Sequence, residues 1–164
     1  MIGPIVSELL LENQETFLIP GDNVATLMDS NPLDHALLVL SKVGYSKIPV
    51  LDKEDRLVGL ISLSNIVNRM IDLTQISSES LNDSKVADVM EREVPTIGEE
   101  WELEDVLHLL VDSPFLPVVD EVGTFKGIIT RKELLKSVNY LVHELERRNT
   151  VLPKDQKAKF LLNR

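Results

Sequence analysis

Apolar and polar positions follow the same order in two halves of the chain. Residues 33–43, "LDHALLVLSKV", and residues 103–112, "LEDVLHLLVD", carry apolar residues at helical spacing, which predicts one amphipathic helix in each half. Two short runs typical of strands follow each helix. They read "IPVLD" and "LVGLIS" in the first half and "LPVVD" and "FKGIIT" in the second.

The two halves are copies of one unit. Pro49 matches Pro117 and Gly59 matches Gly127, with the second residue of each pair 68 positions after the first. The preceding helices are 70 positions apart, so the connection from helix to strand is two residues shorter in the second copy. Because a unit of roughly 60 residues buries too little surface alone, we expect the copies to pack face to face around a pseudo-two-fold axis.

A second helix is predicted to begin where the last strand of each copy ends. Ser62 and Thr130 stand at these junctions, where a hydroxyl can accept a hydrogen bond from an unpaired amide of the first helical turn. Glu133 lies three residues after Thr130, which is the spacing of a capping box. Both junctions therefore have a purely structural interpretation.

The copies differ in the first turn of this second helix. Arg131 and Lys132 occupy the second copy, whereas Leu63 and Ser64 stand at the matching positions of the first. Cations are unfavourable at a helix N-terminus, and a bound anion would remove that penalty. We interpret the pair as a phosphate clamp in which the arginine grips two oxygens and the lysine acts as a point charge.

Composition narrows the classes of function. The chain has 164 residues, a net charge of -10 and no cysteine. Long-range repulsion argues against binding to nucleic acid or to anionic membranes, and the absence of cysteine excludes disulfides and favours a reducing, cytoplasmic setting. The N-terminus "MIGPIVSELLLENQETFLIP" has neither the basic region nor the apolar length of a signal peptide or membrane span, so we expect a soluble protein.

Candidates for catalysis are few. His35, His108 and His143 lie on separate predicted helices without partners at metal-ligand spacing, so no metal site is predicted. No nucleophile elbow, Walker lysine motif or dinucleotide-binding glycine motif occurs. We therefore predict no catalytic residues, no cofactor and no enzymatic activity.

The doubled pattern, a Pro-Val-x-Asp strand followed by "GLISLSN" or "GIITRKE", resembles the CBS domain. CBS domains occur in tandem and bind adenine nucleotides in the clefts between copies. The resemblance implies an α/β (α+β) fold of two β-α-β-β-α repeats packed as a CBS pair. The implied boundaries are an N-terminal helix at 1–17, repeat 1 at 18–71, a linker at 72–85, repeat 2 at 86–145, and a helix end with a basic tail at 146–164.

The chain is also similar to the stand-alone CBS-pair proteins of Gram-positive bacteria that bind cyclic-di-AMP. This similarity implies a cleft in which "NVAT" and "GYSKI" of the first copy face "TRKE" of the second. The predicted ligand-binding residues are Asn23, Val24, Ala25, Tyr45, Ser46, Lys47, Ile48, Thr130, Arg131, Lys132 and Glu133. Tyr45 would stack on an adenine, while Arg131 and Lys132 would match the two phosphate charges.

The pattern departs from that of many adenine-nucleotide sites in the family. Those sites carry an Asp that holds the ribose hydroxyls, where this chain has Asn65 and Glu133. The departure favours a cyclic dinucleotide over AMP or ATP. In the mirror cleft, "VPTI" and "SPFLP" would face "SLSN" without cations and with Phe115 on the shortened loop, which predicts one nucleotide site per chain.

The resemblance also implies a role. Such a protein would be a non-enzymatic, homodimeric adaptor whose ligand changes its affinity for a protein target, with the (p)ppGpp synthetase/hydrolase and pyruvate carboxylase as implied targets. The alternative is an AMP-, ADP- or ATP-sensing CBS regulator of a catalytic partner chain.

Overall fold

The computed structural model describes residues 2–71, 81 and 83–152, and it has a mixed α/β architecture. The described strands are β1 (Leu18–Pro20), β2 (Leu27–Met28), β3 (Lys47–Leu51), β4 (Leu57–Ser62), β5 (Phe115–Val119) and β6 (Phe125–Thr130). The described α-helices are α1 (Pro4–Leu11), α2 (Leu33–Val43), α3 (Leu63–Met70), α4 (Leu103–Asp112) and α5 (Arg131–Arg148). The predicted helices at 33–43 and 103–112 are confirmed.

Each repeat builds a small sheet with its own apolar core. In the first repeat, β3 pairs in parallel with β2 and antiparallel with β4, and Leu33 of α2 packs with Ile61 and Ile66 in the buried cluster. In the second, β6 pairs antiparallel with β5 and β1, and Val106 and Ile129 are completely buried. The duplicated hydrophobic pattern thus produces two matching halves.

The halves are joined by an exchange of edge segments. Strand β1, at the start of the first repeat, pairs with β6 of the second, and Glu91, which precedes the second strand pair, bridges to Leu60 on β4. A Cβ on Gly127 would collide with the carbonyl of Ile19, and one on Gly59 would lie 2.5 Å from the carbonyl of Glu91. The glycine repeated in both copies is therefore required by the crossing segment of the opposite half. This reciprocal arrangement is the face-to-face packing of two copies that the repeat predicted.

The two helix caps differ in detail. Ser62 and Asn65 form a complete capping box, in which the Ser62 hydroxyl accepts from the Asn65 amide at 3.2 Å and the Asn65 side chain accepts from the Ser62 amide at 2.8 Å. The Thr130 hydroxyl accepts from the Glu133 amide at 3.2 Å, but the Glu133 carboxylate binds Lys136 at 2.7 Å. The capping box expected from the Thr130 spacing is thus only half formed, because a cation one turn away holds the carboxylate.

The N-terminal segment covers the second repeat. Helix α1 is shorter than the predicted region 1–17 and is followed by a 3-10 turn, Gln14–Thr16. It lies against α5 and contributes buried Leu10 to the second core, where Phe17 stacks on Trp101 at a centroid distance of 6.0 Å. Helix α1 and the turn after it therefore cover the core of the second repeat.

Two predicted segments extend outside the described residues. The predicted linker at 72–85 falls mostly on residues 72–80 and 82, and the predicted tail continues past residue 152. Within the part of the chain that the structure describes, no helix has the length and apolar composition needed to cross a membrane.

Candidate functional site

A cavity of about 260 Å³ lies between the two repeats. The loop after α2 supplies one wall and the start of α5 supplies the opposite wall. Its lining residues are Ile19, Tyr45, Ser46, Pro114, Phe115, Thr130, Lys132 and Glu133. Five of the eleven predicted site residues therefore meet here, from segments about 85 positions apart in the sequence.

The aromatic wall depends on how α2 ends. Gly44 follows the helix with a φ of 66°, a left-handed conformation that glycine adopts without strain and that ends many helices. The chain then turns so that Tyr45 reaches the rim of the cavity with 48% of its surface exposed. An exposed, flat ring at a cavity rim is a suitable platform for stacking of a base.

The opposite wall is the first turn of α5. The Thr130 side chain caps this helix, and Lys132 and Glu133 line the cavity beside it. The amides of Arg131 and Glu133 already donate to the Pro114 carbonyl and to the Thr130 hydroxyl. The positive end of the helix dipole and the ammonium group of Lys132 attract anions, whereas the Glu133 carboxylate opposes them. Lys132 is therefore the group of this wall that can bind a phosphate.

Arg131 is placed differently from the predicted phosphate clamp. Its Nε donates to the carbonyl oxygen of Leu110 at 2.8 Å, and its Nη2 donates to those of Val111 and Ser113 at 3.0 Å each. These carbonyls belong to the last turn of α4 and the residue after it, where unpaired oxygens carry partial negative charge. The predicted clamp is thus divided: Lys132 lines the cavity, whereas Arg131 caps a neighbouring helix.

Four other predicted residues do not line the cavity. Asn23 ends a 3-10 turn, Val24 packs against the central apolar cluster that contains Phe115, and Ala25 packs on the first core. Ile48 is 1% exposed within β3, so its side chain belongs to the core. The structure does not bring these four side chains into the lining of the cavity.

Lys47 faces the mirror cleft instead. This second cavity measures about 170 Å³, and Glu91, Glu93 and Asp112 line it together with Lys47. The Lys47 ammonium binds Glu91 at 2.6 Å. The cleft therefore combines one paired cation with three carboxylates, a distribution of charge that repels anions.

The lining of the second cleft only partly matches the sequence-based expectation. Val94, Pro95 and Phe115 line it as predicted from "VPTI" and "SPFLP". The "SLSN" segment does not contribute to the described lining, whereas Leu60 and Lys47 of the neighbouring strands do. Glu91 and Glu93 belong to the run "EREVP" before the second strand pair, which is the sequence signal for two of these carboxylates and was not among the predicted features.

The repeated aspartates of the Pro-Val-x-Asp motif stabilise turns. Burial alone would raise the pKa of Asp52, but hydrogen bonds from the backbone and side chain of Arg56 and from the backbone of Glu54 lower it overall. Burial would also raise the pKa of Asp120, but hydrogen bonds, including one from the Thr124 amide to the carboxylate, lower it overall. Both carboxylates therefore serve the β3–β4 and β5–β6 turns and lie outside the cavity lining.

Potential metal ligands are dispersed over the surface. His35, His108 and His143 are all exposed. Across residues 2–71, 81 and 83–152, no group of three or more histidine, aspartate or glutamate side chains is arranged to hold a metal ion.

Comparison with known protein families identifies the repeated unit. The model of the CBS domain matches residues 18–72 and, a second time, residues 86–140. These ranges together include both cavity walls.

Similar proteins match most of the chain. Cyclic di-AMP receptor B of Bacillus subtilis is 35% identical over 147 residues, which cover 90% of this chain and 100% of the receptor. The crystal structure of CbpB from Streptococcus agalactiae has a TM-score of 0.82 and 34% identity, with 93% of this chain and 96% of that chain covered. The Listeria monocytogenes CbpB protein in complex with c-di-AMP has a TM-score of 0.74 and 46% identity, with coverages of 79% and 96%.

Proposed function

This chain belongs to the CBS domain family, and we propose that it is a sensor that binds cyclic-di-AMP in the cavity between Tyr45 and Lys132. The observation that carries the proposal is the meeting of an exposed aromatic ring with a cationic helix start across a cavity between the repeats. Its similarity over the full length of a protein named cyclic di-AMP receptor supports this ligand class.

The cavity supplies the two interactions that such a ligand needs. Stacking of an adenine on Tyr45 would contribute about 1 to 3 kcal/mol. A phosphate at the start of α5 would gain a charge-assisted hydrogen bond from Lys132, which contributes about 1.5 to 3 kcal/mol. Ser46 lines the cavity beside the ring, and its backbone would meet the adenine edge.

We expect one ligand per chain. The second cleft is smaller, at about 170 Å³, and its carboxylates would face any phosphate that entered. Ser46, Pro114 and Phe115 line both cavities, so a ligand in the first cleft also contacts the wall of the second.

The proposed output is a change in affinity for a protein target. Ordering of the cavity walls by ligand would favour one conformation, and a target that prefers either state would respond. We propose a homodimer as the working unit, without enzymatic activity, and the (p)ppGpp synthetase/hydrolase or pyruvate carboxylase as the target. Exposed apolar residues on four helices, Leu38, Leu63, Val111 and Val142, offer surface for such contacts.

A second candidate is a sensor of AMP, ADP or ATP. The size of the cavity favours it, because about 260 Å³ suits a single nucleoside better than two. The Glu133 carboxylate also lines the cavity, where it could accept hydrogen bonds from ribose hydroxyls.

Calorimetric titration distinguishes the candidates. Cyclic-di-AMP should bind wild-type protein at one per chain and more tightly than AMP, ATP or cyclic-di-GMP. Lys132→Ala should weaken that binding about tenfold or more through loss of the phosphate contact. Lys53→Ala, which removes an equally charged side chain that is 85% exposed on the β3–β4 turn, should leave it unchanged. Binding of AMP or ATP with no binding of cyclic-di-AMP would establish the second candidate instead.

A further inference from the structure

An ion pair joins the two repeats next to the aromatic wall of the cavity. The Lys47 ammonium group donates to both carboxylate oxygens of Glu91, at 2.9 and 2.6 Å. Lys47 begins β3, two positions after Tyr45, whereas Glu91 lies on the segment that crosses from the second repeat. Ser46, between Tyr45 and Lys47, lines both clefts. The pair therefore holds the side of this wall that faces away from the first cavity.

Both partners of the pair are fixed through their backbones. The Glu91 backbone exchanges two hydrogen bonds with Leu60, of 2.9 and 2.8 Å, and Lys47 pairs with Ser62 in the ladder between β3 and β4. The Lys47 side chain is 33% exposed and that of Glu91 is 39% exposed. Partial burial and contact with both oxygens distinguish this pair from the exposed ion pairs that contribute little.

The aromatic wall itself has little support from burial. Gly44, Tyr45 and Ser46 are all exposed, and Gly44 has a left-handed φ of 66° with open space around its Cα. Before this segment, Val43 packs against the first core. After it, Lys47 contacts the other repeat through the ion pair. An exposed segment of three residues takes its position from its two ends, so the ion pair is its downstream anchor.

The corresponding crossing on the other side carries an apolar contact. Phe115 stands 68 positions after Lys47, and Ile19 on β1 corresponds to Glu91 on the other crossing segment. Ile19 packs against the apolar cluster that contains Phe115. One crossing is thus held by apolar packing and the other by an ion pair. In the fold, the place of the pair is that of a contact between the repeats.

We propose that the Lys47–Glu91 pair positions Tyr45 for stacking on the ligand. This inference rests on the proposed binding of cyclic-di-AMP. By fixing the start of β3 to the crossing segment, the pair restricts Tyr45 and Ser46 before the ligand arrives. A wall that is already ordered binds more tightly than one that binding must order. Lys47 is therefore a positioning residue that acts through Glu91, in place of the direct ligand contact predicted from the sequence.

The signs of the two charges separate positioning from simple electrostatics. In calorimetric titrations, Lys47→Met and Glu91→Met should each weaken cyclic-di-AMP binding about fivefold. If charge alone mattered, loss of the Glu91 carboxylate would instead tighten the binding of an anion. Because the two residues act as one unit, the double variant should bind no more weakly than either single variant. Glu93→Met, which removes an exposed carboxylate from the same cleft, is the matched control and should not weaken binding.

A second readout uses ligand-free protein. The chain has two tyrosines, Tyr45 and Tyr140, so tyrosine-selective labelling gives one ring to test and one to serve as a reference. In NMR spectra, Lys47→Met and Glu91→Met should shift or broaden the Tyr45 ring signals and leave those of Tyr140 unchanged.

Three results would overturn the positioning role. They are unchanged Tyr45 signals in both single variants, Glu91→Met binding at least as tightly as wild type, and additive losses in the double variant. Failure of wild-type protein to bind cyclic-di-AMP would overturn the proposed function, and the Tyr45 signals would still decide whether the pair positions the ring.

Discussion

The two clefts are built on the same backbone plan but differ in charge. The first presents Tyr45, Lys132 and Glu133 around about 260 Å³, and the second presents Lys47 with the carboxylates of Glu91, Glu93 and Asp112 around about 170 Å³. Three of the features that the copies share, the glycine at the crossing, the capping hydroxyl and the turn aspartate, serve the fold. Binding is therefore expected to depend on the positions at which the copies differ.

The largest loss of stability should come from substituting the shared glycines, because each of them lies against the backbone of a crossing segment. Gly127→Ala and Gly59→Ala should each destabilise the protein by about 3 kcal/mol or more, since a Cβ would collide with the backbone of the crossing segment. Gly98→Ala, where an added Cβ has no atom within 4 Å, is the control and should change stability by less than about 0.5 kcal/mol.

Urea denaturation with ligand-free protein measures these differences. If only one of the two glycine variants lost stability, the two crossings would not be equivalent, and the halves would not depend equally on the shared glycine.

An intermediate effect is expected at Arg131, which distinguishes the halves in a way that the sequence did not reveal. Arg131→Ala should lower ligand-free stability by about 1 to 2 kcal/mol through loss of hydrogen bonds to the end of α4. Leu63→Ala, at the matching position of the first repeat, should cost less because Leu63 is 39% exposed.

Urea denaturation without nucleotide checks the Arg131 prediction. Arg131→Lys should recover only part of the stability, since an ammonium group cannot reproduce the fork that contacts three carbonyls. If ligand-free Arg131→Ala were as stable as wild type, the hydrogen bonds to the end of α4 would contribute nothing to stability. The predicted role of Arg131 as a phosphate clamp would then be its remaining role.

The features that could be predicted from the sequence are formed by residues close together along the chain, and those that could not are formed by residues far apart. Helices, strands and the caps at Ser62 and Thr130 follow from local patterns, so the repeat identified them and the family resemblance supplied their arrangement. The meeting of Tyr45 with Lys132 also followed from the arrangement that the resemblance implied. The partner of Arg131 did not, because a contact with carbonyls about 20 positions upstream depends on how α4 and α5 pack.

The Lys47–Glu91 pair was missed for the same reason. These residues are 44 positions apart and meet only because Glu91 crosses onto the sheet of the other half. Lys47, two positions after Tyr45, was therefore expected in the first cleft, although alternation along β3 directs its side chain to the second.

The smallest effect concerns the helix that covers only the second half. Arg148 donates to Glu12 on the α1 side at 2.8 Å, and this hydrogen bond holds the pKa of Glu12 below its usual range. Because the folded-state pKa is lowered, the contribution to stability is present above the unfolded pKa of a glutamate and is lost as the pH falls through the folded value. The stability difference between wild type and Arg148→Met should therefore be greatest near neutral pH and should shrink under acidic conditions. Urea denaturation across that pH range measures this difference, with Arg147→Met as the charge-matched control. A difference that stays constant with pH would show that Arg148 does not hold α1 through Glu12.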